Sequence, residues 1–313
     1  MIALDEKKKI LADALGAFPR FDHALYRDNF DLVATESQIK VQEIEGERFT
    51  TIFLTHYTIP TPWRSDPKFS LDSTARFFKS VTLDRRGELV SVGVPHFFNL
   101  DHFRQISEFV EWSRDFRFLE KHDGTCLLVT RWKGKYLIRS RRQVYSVTDS
   151  LAGLDFDGYD LGRRLESLFT ELGERPVTVI TEAIFPHPSL RRFKVNEFYR
   201  RVVAGAGFCP YVDYPRQDNF LTAIIDHGSL RFEHQGVLDE IAQRHGLRRP
   251  AAIVFDSLEA ADKWLKHRQN AEGFCVYFRD GQCVFKFKTR WYRQVMLTTG
   301  KLFAALGMGK VNR

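Results

Sequence analysis

Short apolar runs in this chain come in pairs, and the residues between the members of each pair are turn formers. Residues 76–83 and 88–94 flank Asp84-Arg85-Arg86-Gly87. Residues 124–130 (GTCLLVT) and 135–140 (KYLIRS) flank Arg131-Trp132-Lys133-Gly134, and residues 273–278 and 282–288 surround Arg279-Asp280-Gly281. A connection this short joins only antiparallel strands, so each pair reads as a β-hairpin. Further strands are expected at 49–57 (FTTIFLTHY), 177–185 (VTVITEAIF), 219–226 (NFLTAIID) and 251–255. Helical periodicity marks a short helix within the first 20 residues. It recurs at 101–115, at 157–173 ending on Gly173, at 236–245, and at 257–270 with Ser257 as N-cap. Strands dominate, helices are interspersed, and regular βαβ alternation is missing, which gives an α+β fold of antiparallel sheets flanked by helices. No glycine-rich loop opens a helix after a strand, which argues against a P-loop or dinucleotide-binding fold.

The 313 residues, 43% of them hydrophobic and 28 of them Phe, can fill one large domain or one domain with a small appendage, and exclude a disordered chain. A net charge of +7 favours a polyanionic partner, although a merely soluble basic enzyme carries the same balance. Cys126, Cys209, Cys275 and Cys283 form no CxxC pair and no Cys/His cluster with zinc spacing. Cys126 and Cys275 lie within apolar runs and read as buried free thiols of a reducing compartment. The start, MIALDEKKKILADAL, is charged and amphipathic, without the apolar stretch of a signal peptide. No segment approaches the roughly 18 apolar residues of a membrane span. An intracellular, cytoplasmic protein with no membrane partner is the expectation.

Four segments carry chemistry. Lys121-His122-Asp123-Gly124-Thr125 stands directly before the apolar LLV and suits a nucleophilic lysine at a strand start. Its glycine would let the backbone approach a nucleotide closely. A neutral amine can attack phosphorus, but it must first lose its proton, through burial or cationic neighbours. Taken alone, the pattern is weak, and a surface Asp-Gly turn is its commoner explanation. In VFKFKTRWY, Lys286 and Lys288 share one face of a strand while Phe285 and Phe287 take the other. Glu272-Gly273 opens FCVYF, and the following hairpin would bring that carboxylate near the two lysines. Glu182 stands within the apolar VTVITEAIF, where a lone buried carboxylate is costly and a paired or water-facing one is not.

In this order the four segments resemble motifs I (KHDGT), III (ITEAIF), IV (AEGFCVYF) and V (VFKFKTRWY) of the covalent nucleotidyltransferase superfamily of ATP-dependent ligases and mRNA capping enzymes. Within it the chain is similar to the RNA ligase 1 branch typified by T-even phages, over roughly residues 70–293. Ala75-Arg76-Phe77-Phe78 resembles that branch's Arg-Gly-Ile strand, and Pro95-His96-Phe97-Phe98-Asn99 its Pro-x-x-Lys-Phe-Phe-Asn segment. The run AIVFDSLEAADKWLKHRQNAEGF and the ending KTRWY match its approach to motif IV and its closure of motif V. The departures are Ser140-Arg141-Arg142 where motif Ia usually reads Ser-Lys-Gly, His96 for a lysine, Phe77 for a glycine, and about 20 extra residues between 189 and 212.

The resemblance implies a nucleotidyltransferase domain of the ATP-grasp-like ligase core at 1–293, with 294–313 as a short tail in place of a helical C-terminal domain. It implies an ATP-dependent RNA ligase acting on RNA with 5′-phosphate and 3′-hydroxyl ends, as in RNA or tRNA repair, and a monomer. Lys121 would carry AMP. Lys286 and Lys288 would contact the α-phosphate, and their field would lower the pKa of Lys121. Glu272 would hold Mg²⁺ or Mn²⁺, with Glu182 sharing the metal or binding a ribose hydroxyl. Arg76 would reach the triphosphate or the RNA 5′-phosphate, and Arg141 the ribose or substrate phosphate. Phe98 would support the nucleotide, and Glu120, His122 and Gly124 would line it beside Lys121. Two rivals stand: a DNA-joining or RNA 5′-adenylylating enzyme of the same superfamily, and a noncatalytic RNA-binding protein on a ligase scaffold. Separately, Arg131, Lys133, Lys135, Arg139, Arg141 and Arg142, interleaved with Trp132, Tyr136 and Tyr145, suit a surface that tracks a nucleic-acid backbone.

Overall fold

In the computed structural model the described residues are 2–16, 34, 37–53, 79–94, 98–99, 117–186, 211–278 and 283–305. The chain runs α1 (Leu4–Gly16), β1 (Gln38–Ile44), β2 (Glu47–Phe53), β3 (Val81–Asp84), β4 (Leu89–Val92), β5 (Phe98–Asn99) and β6 (Arg117–Lys121). Next come β7 (Thr125–Trp132), β8 (Lys135–Arg139), β9 (Val144–Thr148), β10 (Asp155–Phe156), β11 (Tyr159–Asp160) and α2 (Leu161–Leu172). It continues with β12 (Val177–Ile184), β13 (Asp218–Asp226), α3 (Gln235–His245), β14 (Ala252–Ile253), α4 (Leu258–His267), β15 (Gly273–Phe278), β16 (Cys283–Lys288) and α5 (Arg290–Ala305).

Among the described residues three large sheets form, ordered β1-β2-β3-β4, β13-β12-β7-β8-β9 and β14-β6-β15-β16-β5, beside a two-stranded β10-β11 ribbon. Every pairing in them is antiparallel except that of β16 with β5, so the α+β expectation holds. Period-two alternation gives the second sheet two apolar faces. Leu127, Val129, Val179, Leu221 and Ile224 pack beneath α2 and α3, while Leu128, Ile180, Ala223 and Ile225 face the other way. That second face meets Leu119, Cys275 and Tyr277 of the third sheet and Ile52, Val81, Leu83 and Val92 of the first. The far side of the third sheet, with Phe274, Val276, Phe285 and Phe287, is covered by Ala261 and Leu265 of α4. Two sheets therefore face one another between outer helices, and the first sheet closes one side.

Local chemistry sets the element ends. Leu161, Leu165, Leu168, Phe169 and Leu172 form one buried stripe on α2. Asp160 caps it by accepting from Arg163 N, so the helix starts at 161, and residues 157–160 are spent on the β10–β11 ribbon instead. Ser257 accepts from Ala260 N at 3.1 Å as the expected N-cap of α4. The hairpin expected around 131–134 tightens, because β7 continues to Trp132 opposite Lys135. β1, β6 and β9 are strands that the apolar pattern does not announce. The helix expected at 101–115 lies outside the described residues, as do 54–57 and 76–78. The division expected at 293/294 falls inside α5, which runs unbroken from Arg290. No described helix is long and apolar enough to cross a membrane.

A buried polar seam joins the first and second sheets. Arg139, fully buried, donates from Nε to Ser91 Oγ (2.8 Å) and from Nη1 to Ser80 Oγ (2.6 Å). Ser91 meets Thr178 at 3.2 Å, and Thr178 is also 2.8 Å from His227 Nε2. Burial holds the His227 imidazole down to about 4 from its ordinary 6.5. Between these values the unfolded chain binds a proton that the folded chain refuses. Stability should therefore be full above pH 6.5 and fall as pH drops toward 4, on the order of 2 kcal/mol for this group. His227→Gln should flatten that slope in urea unfolding at pH 7 and pH 4.5. An unchanged slope would assign the pH dependence elsewhere.

Candidate active site

The strand register of the third sheet assembles the site. Gly273, the first residue of β15, lies opposite Lys121 on one side and Lys288 on the other. One rung further in, Cys275 lies between Leu119 and Lys286. Leu119 and Cys275 face the second sheet, so Lys121, Lys286 and Lys288 share that inner face. Lys121 thus ends a strand of the third sheet. It does not begin the LLV strand, which belongs to the second sheet. Residues 122–124 carry the chain across the gap between the two.

Glu272, only 4% exposed, sits just before this row. Its Oε2 accepts from Lys121 Nζ at 2.7 Å and its Oε1 lies 3.2 Å from Lys288 Nζ. Burial alone would raise the Glu272 carboxyl, but Lys121 and Lys288 outweigh it and hold it below the ordinary range. Burial alone would lower Lys121, yet Glu272, Cys275 and Glu182 together hold its pKa above the ordinary lysine value. This corrects the expectation that the neighbouring lysines depress Lys121: the carboxylate in contact prevails over the more distant like charges. Lys286 shows the opposite outcome. Burial, with Lys121 and Lys288, pushes it down to about 7.

Gly273 is required where it stands. Its φ is +153°, and a Cβ there would lie 1.7 Å from the Phe287 carbonyl oxygen. Gly124 is required too. A Cβ at Gly124 would lie 2.4 Å from Ala183 O and 2.9 Å from Glu182 Cγ, so the close approach the glycine permits is to β12.

Asp123 ties the loop down. Its Oδ2 accepts from Tyr211 N (2.6 Å) and Val212 N (3.3 Å), its Oδ1 accepts from Tyr292 Oη (2.9 Å), and its own N–H donates to Tyr214 Oη (2.7 Å). The aspartate of KHDGT and the tyrosine of KTRWY are thereby partners, a pairing that sequence reasoning missed because 169 residues separate them. Asp123→Ala should remove the carboxylate acceptor shared by Tyr211 N, Val212 N and Tyr292 Oη and cost about 2–4 kcal/mol. Denaturant unfolding measures this, and a loss below about 1 kcal/mol would contradict the structural role.

Glu182 faces this row from β12, an interior strand of the second sheet, so the edge-strand alternative does not apply. It is paired in register with Cys126, whose thiol hydrogen-bonds it, and with Phe220. Burial and Glu272 raise the carboxyl to about 7 against the pull of Lys121 and Arg141. The His122 ring stacks on Phe220, with centroids 4.1 Å apart, and both of its nitrogens are buried without a hydrogen-bond partner. Burial and Lys121 draw it down to about 4, so it is neutral at neutral pH. Arg141 follows the end of β8, and its carbonyl accepts from Ser80 Oγ at 2.7 Å. Glu120 lies opposite Phe274, and burial raises its carboxyl. Phe98 is reached only through backbone pairing of β5, where it stands opposite Phe285 and next to the Lys286 register. Arg76 lies outside the described residues.

The basic hairpin is largely absorbed by packing and ion pairs. Arg139 is interior, Trp132 packs edge-on against Phe49 and Tyr136 against Phe169. Lys133 and Lys135 pair with Glu47 and Asp149, and Arg142 lies over Phe53. Trp132, Tyr136 and Tyr145 stay half-buried, and Arg141 is the member of the hairpin series whose charge reaches the lysine cluster.

Among the described residues, no group of three or more His, Cys, Asp or Glu side chains gathers around a point that could hold a metal ion. Glu272 and Glu182 supply two carboxylates. That oxygen donor set fits Mg²⁺ or Mn²⁺ only when phosphate oxygens and water complete the shell, as is usual for Mg²⁺.

No family model matches the chain, and no curated protein matches it by sequence. Solved structures do match it. An archaeal ATP-dependent RNA ligase, form 1, superposes with a TM-score of 0.53 at 13% identity, covering 97% of this chain and 69% of that one. A protein of Aquifex aeolicus provisionally named an ATP-dependent DNA ligase gives 0.51 at 13% identity, covering 91% and 67%. At such identity the likeness concerns the backbone alone. The chain has the α+β fold of nucleotidyltransferase-type ATP-dependent ligases.

Proposed function

We propose that the chain is an ATP-dependent RNA ligase that carries AMP on Lys121 and joins 5′-phosphate to 3′-hydroxyl RNA ends, in the repair of cleaved RNA. The observation that carries this reading is the row Lys121-Gly273-Lys288. It sets a lysine in contact with Glu272 and beside two further lysines, facing Glu182 across the gap between sheets. The shared fold supports it.

In the first step the Lys121 Nζ lone pair attacks the α-phosphorus of ATP, the bond to the β-phosphate oxygen breaks, and pyrophosphate leaves. Lys121 must first give up a proton, because an ammonium has no lone pair. Its contact with Glu272 stabilises the ammonium, so that contact has to open before attack. Lys286 and Lys288 neutralise the charge that develops on the α-phosphate. A 5′-phosphate oxygen of RNA then takes the AMP and the lysine amine is released. Finally a 3′-hydroxyl loses its proton, attacks the activated phosphate and expels AMP. A bound Mg²⁺ or Mn²⁺ would neutralise phosphate charge, with Glu272 and Glu182 as its protein ligands.

A DNA-joining enzyme is the second reading, favoured by the comparable superposition on the Aquifex protein. Incubation of 5′-labelled RNA and DNA strands with ATP, and with GTP in parallel, separates the two. Circular or joined RNA formed with ATP is the expected product. Joined DNA with inert RNA supports the second reading, and adenylylated strands that never join would reduce the activity to 5′-adenylylation.

A further inference from the structure

Lys288 has two neighbours of different kinds. Its Nζ lies 3.2 Å from Glu272 Oε1 and, over the ring face of Tyr292, 4.6 Å from the ring centre. A cation at that distance is attracted by the ring's quadrupole, and more strongly where water is kept away. Tyr292 is only 2% exposed, so the contact is largely dry. Glu272 serves Lys121 as well, and its contact with Lys121 has to open before the amine can attack. A carboxylate that moves off Lys121 also moves relative to Lys288. The ring is the partner that stays.

Three sets of contacts hold that ring. Thr289, fully buried, stitches the start of α5 to the segment that carries Glu272. Its N–H donates to the Glu272 backbone O (2.9 Å), and its hydroxyl donates to Ala271 O (2.7 Å) and accepts from Tyr292 N (3.0 Å). At its far end the Tyr292 hydroxyl donates to Asp123 Oδ1 (2.9 Å), in the loop that follows Lys121. Tyr211 makes a T-shaped contact with the ring, centroids 5.5 Å apart. One side chain therefore touches the nucleophile's loop and Lys288 while its backbone is tied to the Glu272 segment. It comes from a helix, whereas the other residues of the lysine row come from strands.

We propose that Tyr292 is a positioning residue for lysyl-AMP formation, its ring face keeping the Lys288 ammonium aimed at the α-phosphate when Glu272 shifts. This rests on the ligase reading above. Tyr292→Phe removes only the hydroxyl, and Tyr292→Leu removes the ring as well. Tyr292→Met takes its place if Tyr292→Leu does not melt cooperatively. In single-turnover labelling with α-³²P-ATP, the rate at saturating ATP should stay within about threefold of wild type for Tyr292→Phe. It should fall a further 10- to 30-fold, roughly, for Tyr292→Leu, as for loss of a desolvated cation–π contact. The ATP concentration for half-maximal rate should change less than about threefold, because Lys288 acts on charge that develops in the transition state. In a Lys288→Met background, Tyr292→Leu and Tyr292→Phe should label at the same slow rate, since the ring then has no cation to hold. Equal rates for Tyr292→Leu and Tyr292→Phe with Lys288 present would overturn the proposal. So would a loss specific to Tyr292→Leu that persists without Lys288, or one confined to the ATP concentration. Each of these leaves the ligase reading intact. A wild-type protein that forms no lysyl-AMP would overturn the ligase reading and this inference with it.

Discussion

Lys121→Ala is expected to reduce labelling by α-³²P-ATP to an undetectable level, a loss of at least about 10³-fold, because no other group can take the nucleophile's role at that position. Lys121→Arg should fail as completely, since a guanidinium stays protonated and offers no lone pair. The fold should survive. Glu272 loses one buried partner but keeps Lys288, so the stability change should be about 1–3 kcal/mol by denaturant unfolding. The same variant should still join RNA supplied already adenylylated on its 5′-phosphate, because that step has no lysine attack in it. Persistent labelling of Lys121→Ala would remove the nucleophile assignment.

Gly273→Ala should have the largest structural effect of any single methyl addition at the site. The new Cβ would collide with Phe287 O at 1.7 Å, on backbone at φ +153°. The β15–β16 pairing would have to open at the row that holds Lys121 and Lys288 in register. A stability loss of about 3 kcal/mol or more and a parallel loss of lysyl-AMP formation are expected. Gly87→Ala is the control. Gly87 also has positive φ, +82°, but nothing lies within 4 Å of an added Cβ, and a cost of about 1 kcal/mol is expected. Similar unfolding midpoints for the two variants would show that the site row tolerates separation.

The strands that sequence patterning exposes are those with a buried face: β7 with β8 and β15 with β16, each pair joined by a short turn, and β12 and β13, whose apolar runs stand out without one. The strand that carries Lys121 escapes it. β6 is only five residues, RFLEK, with three of them charged, and its partners β14 and β15 lie more than 100 residues further along the chain. β1 escapes for a different reason: QIKVQEI is largely half-exposed and carries little apolar signal. The same limit applies to the site. Lys286 and Lys288 are legible from a two-residue spacing on a strand, and Glu272 from the hairpin that follows it. The direction of the Lys121 shift is not legible, because it turns on one carboxylate contact at 2.7 Å that only folding creates. Of the aromatic-basic hairpin, only the burial of Arg139 and the packing of Trp132 on Phe49 and of Tyr136 on Phe169 were not legible in the sequence, because they depend on partners from other elements.

The central claim is a covalent bond between Lys121 and a nucleotide. Intact-mass measurement of the purified protein after incubation with ATP and Mg²⁺, followed by peptide mapping, tests it most directly. The account predicts a mass increase of one AMP, localised to Lys121 and reversed by pyrophosphate. An unmodified protein, or AMP mapped to any other residue, would contradict it.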